Sequence, residues 1–200
     1  MKGSLIVISF FAAGIMCGLA GLIPSALVEG DISFYALCAL MFCVGMTIGC
    51  DADTFRKFTM LDKRLMLLPF LTIAGTLSGC AVSDFFFSDR SLTECLAIGS
   101  GMGYYSLSSI FITEYKGAEA GTVALLANIM REIITLLAAP LLARYFGKLA
   151  PISAGGATSM DTTLPIITSA VGSEFAIVSI YHGFVTDFSV PFMVTLFCSI

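Results

Sequence analysis

Apolar runs of roughly bilayer length follow one another along the whole chain, joined by short polar turns. A spanning helix needs about 20 predominantly apolar residues, and several of these runs meet that length. Only 12% of the 200 residues are charged, about half the share usual in soluble domains. Mean hydropathy is +0.97. The expected fold is an all-α polytopic membrane protein, with residues 1–200 forming a single transmembrane domain in the lipid bilayer.

The first span is expected over about 4–28. Met1-Lys2 and the run behind it could pass for a signal peptide, but the run is long enough to span and leads into a second span, so it is read as retained. The second covers about 33–50, where Gly45 and Gly49 mark close helix contacts. The polar loop 51–64 carries Arg56, Lys57, Lys63 and Arg64, which places it and the N-terminus in the cytoplasm, with the Glu29–Asp31 turn outside. A third span is expected over about 65–82. The fourth begins near Cys95 and is interrupted between Gly99 and Ser109, where Gly99, Gly101 and Gly103 each weaken a helix by roughly 1 kcal/mol. The fifth covers about 121–143, after which Arg144 and Lys148 fall outside, against the charge rule. A short sixth follows over about 157–170. The last, about 175–198, is interrupted by His182, Asp187 and Pro191.

The count is thus about six or seven segments, two of them broken. Interrupted segments are the usual pointer to the binding site of a secondary transporter. Such folds are often inverted repeats, which makes this chain a candidate half of one, although no repeat is legible within it.

The most polar interruption is Ala154–Ile166, with Gly155 and Gly156, four hydroxyls, Asp161 and Pro165. The glycines let the backbone leave regular geometry. Thr158 or Ser159 is expected to cap a new helix start, whose N–H groups would favour an anion. Pro165 has no N–H for the Asp161 carbonyl, so Asp161 is expected to offer a carboxylate and a freed backbone oxygen together. Thr162 belongs to the same polar stretch. The bland alternative is a helix-capping aspartate in a loop.

Glu132 lies midway along the fifth span, and a charge there costs about 2.5–3.5 kcal/mol unless it faces a cavity or a partner. Asn128 shares its helix face, whereas Arg131 is turned roughly 100° away. A structural Arg131–Glu132 pair is one reading. A cation- or proton-binding Glu132 is favoured, because adjacent side chains on a helix do not face each other. Asp187 sits near the centre of the last span, and Pro191 is expected to free its carbonyl as Pro165 does for Asp161. His182 reads equally as a satisfied structural histidine or a proton relay. Tyr104, Tyr105, Ser106, Ser108 and Ser109 either line a polar path or bond between helices. Together these groups suit a zwitterion with extra positive charge. Carboxylates would hold its ammonium groups, and protons competing for them give a route to proton-coupled exchange.

Other functions find less support. The seven cysteines, Cys17, Cys38, Cys43, Cys50, Cys80, Cys95 and Cys198, lack disulfide or zinc spacing and read as packing residues. With one histidine and no cofactor motif, no haem or metal cluster is expected. No basic run points to nucleic acid. Ile98-Gly-Ser-Gly101 lacks the first glycine of a rhomboid protease motif, and the aspartyl intramembrane protease motifs are missing, so no enzyme is expected. A non-transporting membrane subunit or sensor stays as the alternative.

At these residues the chain resembles the bacterial lysine exporters of the LysO (YbjE) type. The resemblance is carried by Gly101-Met-Gly-Tyr-Tyr-Ser-Leu-Ser108, Leu126-Ala-Asn-Ile-Met-Arg-Glu-Ile133, Gly155-Gly-Ala-Thr-Ser-Met-Asp-Thr-Thr-Leu-Pro165 and, more weakly, His182-Gly-Phe184 with Val190-Pro191. It runs from the second or third helix to the end and matches the family's C-terminal two-thirds. It implies inner-membrane export of L-lysine and the analogue thialysine in exchange for protons, with Glu132 and Asp161 as the acidic residues. Fused family members are longer at the N-terminus. The resemblance therefore also implies a small membrane partner supplying the missing helices, or a homodimer. Lysine, ornithine and arginine are not separated by these motifs.

Overall fold

The structure is a computed structural model and describes residues 13, 16–20, 35, 42, 46, 62–84 and 90–200. The chain separates into two compact units, Met1–Cys50 and Asp51–Ile200. In the first, residues 13 and 16–19 are helical, and the Ala20 N–H donates to the Met16 carbonyl at 3.0 Å. The spans expected over about 4–28 and 33–50, and most of the loop 51–64, lie outside the described residues.

In the second unit every regular element among the described residues is helical. A single turn, α1 (Lys63–Met66), opens it, and the Asp62 carboxylate caps that turn by accepting from the Arg64 N–H at 3.0 Å. It runs into α2 (Leu68–Asp84). Helix α3 (Leu92–Gly99) starts on Ser91, whose hydroxyl accepts from the Glu94 N–H at 3.2 Å. Then come α4 (Tyr105–Lys116) and α5 (Ala118–Phe146), separated by Gly117 at φ 94°. Helix α6 (Ala150–Gly155) leads into a 3₁₀ turn, Gly156–Met160, and α7 (Leu164–Val171) follows. A 3₁₀ turn at Ser173–Phe175 opens the last helix, α8 (Ala176–Ser199).

Three of these stretches are long and apolar enough to cross a membrane: Lys63–Asp84, Ala118–Phe146 and Ser173–Ser199. They coincide with the third, fifth and last expected spans. Where a fourth and a sixth were expected, the structure has the short pairs α3/α4 and α6/α7, of 8, 12, 6 and 8 residues. None of these reaches the length of a span alone. Pro140 and Pro191 lie inside α5 and α8 without ending either helix.

Helix α8 is the central one. Half of its apolar window is buried, against 17% for α2 and for α5. On α5 the residues Leu126, Met130, Ile134, Leu137 and Leu141 are exposed, a stripe suited to lipid. The buried face of α8 includes Ser179, His182, Thr186 and Asp187 beside Val178, Val190 and Val194. The interior of this unit is thus partly polar. A dry cluster of Leu68, Ile152, Ile167, Val171 and Val178 ties α2, α6, α7 and α8 together.

Candidate functional site

The site is built where two chain breaks meet. In the first, between α3 and α4, Met102 and Gly103 adopt positive φ, 46° and 97°. For Met102, fully buried, this is an unusual conformation that its surroundings must hold in place. The second break turns at Gly156, φ 61°. There the Ala157 N–H donates to the Met102 carbonyl at 2.9 Å, joining the two breaks backbone to backbone. A Cβ on Gly156 would collide with that same carbonyl oxygen. Glycine is therefore required by both the backbone angle and the close approach.

Helix α5 clasps both breaks. The Asn128 Oδ1 accepts from the Gly103 N–H at 2.7 Å, and its Nδ2 donates to the Ala124 carbonyl at 2.8 Å. One turn on, the Arg131 Nε donates to the Ala154 carbonyl at 2.8 Å and its Nη2 to the Ser153 carbonyl at 2.9 Å. Those carbonyls end α6, where a cation complements the negative end of the helix. Arg131 and Glu132 form no ion pair, since those among the described residues join Arg90 to Glu94 and Glu119, and Lys148 to Glu174.

On the other side, α8 and α2 grip the second break. The Ser159 hydroxyl lies 2.7 Å from the Gly156 carbonyl, 3.0 Å from the Ser179 carbonyl and 3.1 Å from His182 Nδ1. The Ser179 hydroxyl donates back to the Ser159 carbonyl at 2.7 Å, and His182 Nε2 meets the Thr72 hydroxyl at 2.9 Å. Thr158 donates to the Gly155 carbonyl at 2.9 Å.

The carboxylates gather around this junction. Asp187, on α8, is buried and lies within electrostatic range of Asp161. Both act on the Tyr104 phenol at the start of α4. Glu132 and Asp161 both act on the neighbouring Tyr105. Asp161 is exposed, and its Oδ1 accepts from the Thr162 N–H and, at 3.3 Å, from the Thr162 hydroxyl. Ser106 and Ser109 are half-buried, and Ser108 donates to the Tyr104 carbonyl at 2.8 Å. Among the described residues no group of three His, Cys, Asp or Glu side chains could hold a metal ion.

Two local expectations are corrected. Neither Thr158 nor Ser159 caps a helix: α7 begins after Thr163, without a side-chain cap, because both hydroxyls serve the 3₁₀ turn. The Asp161 carbonyl is not freed by Pro165, since it accepts from the Leu164 N–H at 3.3 Å. Of the N–H groups leading into α7, those of Thr162, Thr163 and Leu164 are already taken. Thr162 is held by Asp161 and Thr163 by the Thr158 carbonyl, while Pro165 has no N–H. Sequence reasoning missed Thr72, Ser179 and Met102. The two hydroxyls inside apolar runs were a usable signal, whereas nothing marks Met102 apart from its glycine neighbours.

These features define a helical membrane protein with ionisable side chains gathered around paired chain breaks. The chain belongs to the lysine exporter LysO family, whose model matches residues 8–198. It is 33% identical to a candidate lysine exporter of Haemophilus influenzae over 167 residues, 84% of each chain. It is 32% identical to the lysine exporter LysO of Escherichia coli over 192 residues, 96% of this chain and 62% of that longer protein. No solved structure matches.

Proposed function

We propose that this chain exports L-lysine, and with it thialysine, across the bacterial inner membrane in exchange for protons. The supporting observation is charge balance. Glu132, Asp161 and Asp187 gather at the junction of the breaks, and none has an ion-pair partner among the described residues. Asp187 is buried and Glu132 half-buried, and carboxylates so placed within membrane segments call for a partner. A dibasic amino acid brings two ammonium groups, and protons take their place when it leaves. The names of the relatives, which describe lysine exporters, point the same way.

In this reading α3/α4 and α6/α7 are the broken segments of the transport pathway, and α2, α5 and α8 are its full spans. The N-terminus is cytoplasmic, because Arg56, Lys57, Lys63 and Arg64 cluster in one loop.

The test is lysine efflux from cells that cannot otherwise export it, loaded by feeding a lysine dipeptide. The chain is expressed alone and together with a small membrane protein supplying the N-terminal helices of the longer relatives. Efflux from the chain alone identifies a complete pathway, as a monomer or a homodimer, and efflux only with the partner identifies a split exporter. Absence of lysine, ornithine and arginine efflux in both cases, with the protein present in the membrane, contradicts the reading.

A further inference from the structure

The buried His182 imidazole is hydrogen-bonded at both ring nitrogens, and neither bond goes to one of the three carboxylates. The ring has no exposed surface. Its two nitrogens join three pieces of chain: Nδ1 meets Ser159 in the 3₁₀ turn, and Nε2 meets Thr72 on α2, while the ring itself stands on α8. The Ser159 hydroxyl has a single hydrogen, and a backbone carbonyl takes it at 2.7 Å. Its oxygen is then free to accept from Nδ1–H, which leaves Nε2 to accept from the Thr72 hydroxyl. A neutral ring satisfies the whole chain of bonds. Arg131 on α5 is the charged group in electrostatic range of it.

The turn it grips is the one that ends on Asp161. Thr158 supplies the carbonyl that receives the Asp161 and Thr163 N–H groups, both at 3.1 Å. Behind His182, Gly183 lets α8 approach so closely that a Cβ there would stand 2.6 Å from the Met160 nitrogen. The grip therefore lies within two residues of Asp161 on both the side-chain and the backbone side.

We propose that His182 is a positioning residue. By bonding Ser159 it fixes the 3₁₀ turn Gly156–Met160 against α8, and so sets where the Asp161 carboxylate stands, without itself carrying substrate or proton. This rests on the reading of Asp161 as a substrate- or proton-binding carboxylate.

Asparagine places its amide near the position of Nδ1, and glutamine places it near Nε2, so the two substitutions keep different halves of the network. His182→Asn, which keeps the Ser159 bond, is expected to retain lysine efflux within about threefold, while His182→Gln, which keeps only the Thr72 bond, loses about tenfold. The dependence of efflux on external pH keeps its wild-type shape in His182→Asn. Hydrogen–deuterium exchange of purified protein supplies a readout that needs no transport: amides of residues 157–163 exchange faster in His182→Gln than in His182→Asn or wild type. Equal loss in both variants, a flattened pH profile in His182→Asn, or unchanged exchange in His182→Gln overturns the proposal. Should neither variant accumulate, Ser159→Ala, which removes the oxygen that His182 Nδ1 meets, decides: faster exchange over 157–163 upholds the grip, and wild-type exchange overturns it. If wild type itself exports no lysine, the transport reading fails while the exchange comparison still judges the grip.

Discussion

At the residue scale the junction is held by side chains with little freedom to change. Gly156 combines a positive φ with a backbone contact that leaves no room for a methyl group. Gly156→Ala is expected to lower the stability of the detergent-solubilised protein by about 1–3 kcal/mol, from backbone strain and displacement of Met102. A melting temperature equal to that of wild type would contradict this contact. Thr186 is the opposite case. Its hydroxyl is the one buried side-chain polar atom among the described residues without a hydrogen bond. Thr186→Val is expected to leave the melting temperature unchanged or raise it, since an unsatisfied hydroxyl costs about 1–3 kcal/mol. The sequence pointed to the first of these positions and not to the second. Gly156 stood out in a polar stretch, while the missing partner of Thr186 depends on neighbours that no local pattern names.

At the element scale, each short helix near the junction is finished by a group from elsewhere. Arg131 ends α6 through two carbonyls, at 2.8 and 2.9 Å. Arg131→Met would leave both without their cation, and an expected loss of about 2–5 kcal/mol, summed over two charged hydrogen bonds, should appear in thermal unfolding. Arg131→Lys should recover only part of it, because a lysine cannot reproduce the fork. By contrast, Lys148→Ala, which removes the exposed Lys148–Glu174 pair at 3.4 Å, should shift the melting temperature only slightly, because solvent screens such a pair. The long helices α2, α5 and α8 were legible from apolar length, because burying or immersing such runs leaves few alternatives. The capping of the short ones was not. Thr158 and Ser159 have the chemistry of caps but spend it on the 3₁₀ turn, and Leu164 claims the carbonyl that Pro165 was expected to free. Spacing on α5 did separate Arg131 from Glu132, yet the destination of Arg131 lies 22–23 residues away and is a tertiary fact.

At the scale of the whole molecule, the second unit places its polar side chains inside and much of its apolar surface outside, the reverse of a soluble domain. The carboxylates that the sequence singled out, Glu132, Asp161 and Asp187, come within electrostatic range of the same two tyrosines or of each other. Their gathering was not readable from positions 29 and 26 residues apart along the chain, since it depends on the two breaks meeting. If protons replace lysine on these groups, efflux should rise with an inward proton gradient and fall when a protonophore collapses it. Efflux indifferent to the gradient would remove the proton from the mechanism while leaving the cation site intact.

The most direct measurement is lysine efflux from dipeptide-loaded cells expressing wild type, Glu132→Gln or Asp161→Asn at matched levels in the membrane, with the small partner present if export requires it. Both substitutions keep size and remove only the charge. The account predicts export by wild type and none by either variant. Normal export by both variants would contradict the assignment of these carboxylates to the transported cations.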